Sequence, residues 1–275
     1  MHKAELRQYF ERDLGWGTGY QQEVVFDFLC QAAEEGSGGV VLDAGAGHQR
    51  YKPFFAQSLY LAHEHPVAGA VNKGIREFDI LCDARTIPLR SECIDVILST
   101  SSLEPMRYPE AFFHEAHRVL RPGGGLHINV PFVYLEHEVP FDFQRPTRYG
   151  LARWYEDVGF ERVRVRPTSS SVYTAVFFLR EALSEIATPP TASRWRRLRP
   201  TLIRRMAHLL LLRISREFDT GPSAVTKLPV GWVATGYKCG TAPGVNRQWT
   251  DAAGFLKEHA IEGARFVDGG LHFSA

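Results

Sequence analysis

The sequence is short of cysteine, has almost no net charge and contains no long apolar run. Its four cysteines, Cys30, Cys82, Cys93 and Cys239, are scattered through 275 residues without a C-x-x-C pair. That spacing argues against a zinc site, and three of the four sit in apolar runs, which suits reduced core thiols better than a disulfide framework. Lys and Arg total 32 against 31 Asp and Glu, so no global charge draws the chain to nucleic acid or an anionic membrane. The longest apolar stretch, around residues 209–212, falls far short of the ~20 residues a bilayer-spanning helix needs. The opening MHKAELRQYFERD is charged from the start and has no secretory apolar core. The expectation is a cytoplasmic protein with no membrane span and no nucleic-acid partner.

What is present is an alternation of short apolar runs with helical stripes. Apolar residues make up 44% of the chain and charged residues 23%, ordinary values for a globular protein able to bury one sizeable core. Val24, Val25, Phe28 and Leu29 recur at helical spacing, predicting a helix over 20–33 that the glycines of 36–39 break. Val40, Val41 and Leu42 then form a continuous apolar run, the pattern of a strand buried on both faces of a parallel sheet. Further strands are predicted at 59–62, 78–82 and 94–98. Pro109 suits the first turn of a helix whose stripe is Phe112, Phe113, Ala116, Val119 and Leu120. The run Arg121-Pro122-Gly123-Gly124-Gly125 is expected to stop that helix and turn the chain into a strand at 126–130. A helix over 149–158 closed by Gly159, and strands at 160–165 and 230–237, complete the alternation. It predicts an α/β, doubly wound open sheet with helices on both faces.

The expected organisation is an N-terminal helical cap (1–36), a Rossmann-like core (37–167), a helical insertion or lid (168–228), a final core strand (229–240) and a C-terminal tail (241–275) without legible periodicity. The insertion carries an aromatic helix around Phe177 and the basic segment from Arg194 to Arg216. That segment reads as an amphipathic lid, its leucines toward the core or a second copy in a homodimer and its arginines in water. Contact with RNA phosphates or a membrane surface is the other reading.

The chemistry concentrates where strands end. Asp43-Ala44-Gly45-Ala46-Gly47 follows the first buried strand directly, and glycine there permits a tight turn and close approach of a ligand to backbone. A nicotinamide-type fingerprint wants Gly or Ala three residues after Gly47, where this chain has Arg50. Asp43 would repel a pyrophosphate and attract a cation. S-adenosylmethionine, with its sulfonium and ammonium groups, fits that field. Glu64, 21 residues past Asp43, stands where a carboxylate can accept from both ribose hydroxyls. Asp83, after the third strand, can accept from an adenine amino group beside the Ala84 backbone. Each carboxylate alone also reads as a surface loop residue.

Three blocks carry a resemblance: VVLDAGAGHQRY, CDARTIPLRSECIDVILSTSSLEPM and PEAFFHEAHRVLRPGGGLHINVPF. In order and spacing they resemble the class I S-adenosylmethionine-dependent methyltransferases of the ubiquinone/menaquinone-methylase type (methyltransferase type 11), over residues 38–166 and again at 230–238. The resemblance implies a mostly parallel seven-stranded sheet of order 3-2-1-4-5-7-6 with the last strand antiparallel and a helical insertion before it. It implies that Asp43, Gly45 and Gly47 line the methionine end of the donor, Glu64 the ribose, and Asp83 with Ala84 the adenine. Ser99 and Thr100 would offer backbone groups. Gln49 replaces the family's third loop glycine.

Methyl transfer asks the protein mainly to align acceptor and methyl, and a base is needed only when the acceptor must lose a proton. The most polar segment after the fifth strand holds Tyr134, His137, Glu138, Asp142 and Arg145. His137 is the candidate base because imidazole titrates near neutrality. Tyr134, Glu138, Asp142 and Arg145 are candidates to bind a polar acceptor, while an Asp142–Arg145 pair that merely fixes the loop is the plainer alternative. A metal held by His137, Glu138 and Asp142 is disfavoured because no helix sets their spacing. His63 and His65, flanking Glu64, read as pocket rim or exposed residues, and His114 and His117 as surface. The function expected is methyl transfer to oxygen or nitrogen of a small-molecule acceptor, a secondary metabolite or sugar. The alternatives are donor or partner binding without turnover, or an RNA or protein acceptor.

Overall fold

The computed structural model describes residues 2–13, 20–67, 77–184, 206–207, 209–211, 213–214, 217–241, 251–267 and 270–273. Most of the basic segment from Arg194, including residues 194–205, lies outside the described residues. Helices α1 (Lys3–Asp13) and α2 (Tyr20–Glu35) precede β1 (Val40–Ala44), and β2 (Leu59–Glu64), β3 (Ile80–Leu81) and β4 (Ile94–Thr100) follow. Then come α3 (Pro109–Val119), β5 (Leu120–Pro131), α4 (Arg148–Asp157), β6 (Phe160–Pro167), α5 (Ser171–Ser184) and β7 (Gly231–Lys238). The chain ends in α6 (Ala252–His259), β8 (Arg265–Val267) and β9 (Gly270–His272).

The strands form one sheet of order β6-β7-β5-β4-β1-β2-β3-β9-β8. The first seven places reproduce the expected order, and β7 runs antiparallel to both β5 and β6. The expected count of seven is corrected to nine among the described residues. The two extra strands come from the C-terminal tail: β9 pairs in parallel with β3, and β8 closes back on β9. A two-residue β3 at a sheet edge would leave open donors and acceptors, and the hairpin covers them.

Two apolar layers sandwich the sheet. One face packs Phe112, Phe113, Ala116 and Val119 of α3, Leu151 and Tyr155 of α4, and Phe255 and Leu256 of α6 against Val40, Leu42, Ile94 and Ile97. The other packs Phe10 of α1 and Val25, Phe26, Phe28 and Leu29 of α2 against Val41, Tyr60, Val96 and Leu98. Helices on both faces are why β1 is buried at all five positions rather than alternating. Local chemistry sets the helix starts: Pro109 occupies the first turn of α3, and the Thr147 side chain accepts from Gly150 N at 3.1 Å to cap α4. Phe255 is fully buried, so Phe255→Ala is expected to destabilise the fold by about 3–5 kcal/mol. Urea unfolding measures this; a loss under about 1 kcal/mol would detach the tail from the core.

One local expectation shifts. Residues 121–124 do not separate helix from strand, because β5 already begins at Leu120. Ile94 pairs with Leu120 but Val96 with Gly125, so the Pro-Gly-Gly stretch bulges from a continuing strand, with Gly123 at φ +80°.

Candidate active site

The carboxyl ends of the central strands converge on the Gly45–Gly47 bend. Asp43 pairs across β1 with Ala62 of β2 and Leu98 of β4, so Glu64 and Thr100 lie two residues further along their strands. Side-chain alternation places Asp43 with Val41, Glu64 with Ala62 and Thr100 with Leu98, on the face packed by α2. Gly45 and Ala46 both donate backbone N–H to the His63 carbonyl, at 3.1 and 2.9 Å, anchoring the bend to β2. Gly45 has φ +86°, and a Cβ there would stand 2.4 Å from Ser102 Cβ. Gly47 has φ +51° with nothing within 4 Å of where its Cβ would be. Gln49, in place of the family's third glycine, itself adopts φ +51°. Gln49 thus takes a left-handed backbone conformation that glycine more often adopts.

Asp43 is fully buried, accepts a hydrogen bond from the Tyr60 hydroxyl through Oδ2, and has no partner at Oδ1. Burial pushes its carboxyl up to about 7, with the charge of Glu64 adding and the Tyr60 bond opposing. Glu64 is nearly buried, and accepts from Gly47 N at 3.0 Å and His65 N at 2.9 Å. Burial raises its pKa despite those two bonds, with a small further push from the charge of Glu138. The Asp83 carboxylate is gripped by Arg85, whose Nε lies 3.0 Å from both oxygens. Although burial opposes it, the Arg85 hydrogen bonds hold Asp83 below the usual carboxylate range. Ala84 is buried beside it.

A second polar cluster forms above the β4 and β5 tips. Asp142 and Arg145 make a two-pronged ion pair, Nη2 reaching Oδ2 at 2.6 Å. Asp142 Oδ2 also accepts from His137 N at 3.1 Å. The His137 ring has Nδ1 3.0 Å from the Leu135 carbonyl and 3.1 Å from Arg145 Nη2, and Nε2 3.6 Å from Glu104 Oε1. Its pKa is raised by Glu104 first, against burial, with the Leu135 carbonyl and Asp142 assisting. Tyr134 meets the His137 ring edge-on at 5.5 Å and stacks on Phe177 of α5 at 5.9 Å. Glu138 is exposed at φ +54°.

Residues 42–128 match the family described as "Methyltransferase domain". Over this segment, about a third of the chain, the sequence is similar to methyltransferase domains. A curated relative, malonyl-[acyl-carrier protein] O-methyltransferase of Hahella chejuensis, is 29% identical over 118 residues, which cover 40% of this chain and 42% of that protein. The match thus spans under half the length of that relative. Among solved structures, a phosphoethanolamine N-methyltransferase of Haemonchus contortus, in complex with S-adenosylmethionine, is 15% identical. It matches over 81% of this chain and 53% of its own, with TM-score 0.45. A methyltransferase from Archaeoglobus fulgidus is 14% identical over 78% of this chain and 94% of its own, with TM-score 0.47.

Within the matched segment, Asp43, Gly45, Gly47 and Glu64 stand together at one bend, Ser99 and Thr100 are the last two residues of β4, and Asp83 and Ala84 follow the end of β3. Ser99 Oγ lies 2.6 Å from Ser102 Oγ, which donates to the Ala44 carbonyl at 2.8 Å. Ser102, unremarked in the sequence, thus ties β4 to β1 beneath the bend. Asn129 also went unread: it pairs beside Thr100, is buried, and its Nδ2 has no partner. His63 is corrected from rim to core. It is 1% exposed, its Nε2 lies 3.0 Å from the Cys82 carbonyl, and burial lowers its pKa to about 4. His65 and His114 are exposed, whereas His117 is half-buried, edge-on to Phe160 at 5.1 Å. Glu104 is the largest omission: it is fully buried with neither carboxylate oxygen hydrogen-bonded. Among the described residues no group of three His, Cys, Asp or Glu is placed to hold a metal ion, and no helix is long and apolar enough to cross a membrane.

Proposed function

We propose that this protein transfers a methyl group from S-adenosylmethionine to an oxygen or nitrogen of a small-molecule acceptor. The observation that carries the reading is Asp43: a fully buried carboxylate with one unpartnered oxygen, beside a glycine bend whose outer Cβ position is open. A buried carboxyl titrating near 7 is costly to ionise alone, and a cationic ligand supplies the missing counter-charge. A pyrophosphate at the same bend would add charge of the wrong sign. Glu64, fixed by two backbone N–H bonds, retains lone pairs for sugar hydroxyls. The Gly47 bend, Glu64 and Ala84 would hold the donor, which when bound supplies an electrophilic methyl on a positively charged sulfur.

The chain's own residues then bind and orient. In this reading the bend and strand tips fix one reactant, and the loop that holds the Asp142–Arg145 pair and His137 receives the other. Holding two reactants in line supplies roughly 7–11 kcal/mol in well-oriented reactions, so no elaborate catalytic apparatus is required. His137 serves as proton acceptor for an O–H or N–H acceptor. The name of the curated relative, an O-methyltransferase, supports oxygen among the two atoms.

Thermal unfolding with S-adenosylhomocysteine and with NAD tests the donor. Stabilisation by the first alone is expected, about 2.7 kcal/mol at a hundred times its Kd. Stabilisation by NAD alone rejects the assignment. With an acceptor in hand, His137→Ala is expected to reduce kcat well before donor affinity; an equal loss of both assigns the ring a structural part only.

A further inference from the structure

We propose that Glu104 is the positioning carboxylate of His137, fixing Nε2 as the protonated ring nitrogen and leaving Nδ1 as the atom that gains and loses the proton. The inference deepens the reading above and rests on it, because it concerns the loop assigned there to the acceptor.

Glu104 lies in the segment between β4 and α3, and its backbone carbonyl accepts from Phe143 N at 2.8 Å, which ties that segment to the His137 loop. Gln144 Nε2 adds a second tie to the Met106 carbonyl at 3.2 Å. The Glu104 side chain is 0% exposed and neither oxygen has a hydrogen bond. Among the described residues its one charged contact is His137 Nε2 at 3.6 Å, and the His137 side chain is 31% exposed. Glu104 is therefore placed to act through the imidazole. A buried anion without hydrogen bonds is costly unless a positive or donating group faces it. An Nε2–H directed at Oε1 is the arrangement that meets this need in either charge state of the ring.

The other nitrogen is built differently. Nδ1 has an acceptor, the Leu135 carbonyl at 3.0 Å, and a donor, Arg145 Nη2 at 3.1 Å. When Nδ1 carries a proton it donates to the carbonyl; when it does not, its lone pair accepts from the guanidinium. Both states have a partner without the ring turning. In the proposed step Arg145 Nη2 releases Nδ1 and keeps its bond to Asp142, an acceptor O–H or N–H bond breaks, the proton forms Nδ1–H, and the freed pair bonds the methyl carbon while the carbon–sulfur pair stays on sulfur. The charged groups facing the ring are Glu104 from the β4 side and Asp142 and Arg145 from its own loop, with the Tyr134 edge and, behind it, Phe177 of α5 closing the remainder.

The test is nitrogen NMR of the imidazoles. Of eleven histidines, His137 is assigned by the signals lost in His137→Gln. Wild type is expected to show the Nε2–H tautomer when neutral, with protonation at Nδ1 and a midpoint above that of free imidazole. Glu104→Gln, which keeps an oxygen to accept the N–H but removes the charge, is expected to lower that midpoint by about one unit or more. An Nδ1–H tautomer in wild type overturns the proposal by itself, even if no Glu104 variant folds. So does an unchanged midpoint in folded Glu104→Gln. Titration with S-adenosylhomocysteine on the same samples separates the two readings: absence of binding removes the donor assignment and leaves the tautomer result standing.

Discussion

Asp43→Asn is expected to weaken S-adenosylmethionine binding by about 1.5–3 kcal/mol, the usual contribution of a hydrogen bond to a charged group. That is roughly a tenfold to hundredfold rise in Kd by calorimetry. The loss should be larger for S-adenosylmethionine than for S-adenosylhomocysteine if the carboxylate senses the sulfonium, and equal for the two if it senses only the ammonium. Unchanged affinity for both removes Asp43 from the site. The same substitution has a second, opposite consequence. Because the folded-state pKa is raised from 3.8 to about 7, the stability associated with the neutral acid is fully present below the unfolded-state value. It is lost as pH rises through the folded value, by about 4 kcal/mol in all. Asn cannot ionise, so the stability of the ligand-free variant relative to wild type should improve between about pH 4 and pH 8. Any constant cost of the Asn amide cancels in that comparison. Urea unfolding at both pH values reads it, and a pH-independent difference would mean that Asp43 is already charged in the free protein. A group that harms the free fold and helps the bound one is what a ligand-facing charge should look like.

Gly47→Ala should abolish detectable donor binding while costing the free protein only about 1–2 kcal/mol, the penalty of an L-residue in the left-handed region. The asymmetry with its neighbour is geometric. At Gly45 an added Cβ meets Ser102 Cβ at 2.4 Å, so Gly45→Ala distorts the β1–β4 junction and is expected to be mainly a folding defect. At Gly47 an added Cβ meets no protein atom within 4 Å and would enter open space at the bend whose Gly47 N binds the Glu64 carboxylate at 3.0 Å. Gln49 at φ +51° shows that this loop tolerates a side chain in the left-handed region. Calorimetry with S-adenosylhomocysteine alongside thermal unfolding separates the effects. Wild-type affinity in folded Gly47→Ala would place the donor elsewhere.

Much of this was legible because it is local. Runs such as Val40-Val41-Leu42 bury on both sides only in a covered parallel sheet, and Pro109 and Gly159 bound helices through their own backbone restrictions. The acidic residues at strand ends follow from those runs, since a strand that stops at a known residue exposes the next one at the tip. Glu104 was opaque for the opposite reason. A single glutamate between Leu103 and Pro105 has no periodicity, and its importance comes from the Phe143 N–H and the His137 ring, both far along the chain. His63 misled because burial of an imidazole depends on β3 and its neighbours closing over it. The loop cluster held a similar ambiguity: Asp142 and Arg145 do pair, yet the same pair presents Nη2 to the ring that sequence reading had proposed as the base.

From its sequence alone this chain determined the alternating α/β order, the glycine bend and the acidic strand ends, because backbone conformation and two-sided burial are set by residues within a few positions of one another. Tertiary structure decided the rest: that residues 265–267 and 270–272 become strands, and that Glu104 faces His137. Three-residue segments hold too little local preference to be strands until β3 offers an open edge, and a carboxylate has no assigned partner until two loops from different strands are folded against each other.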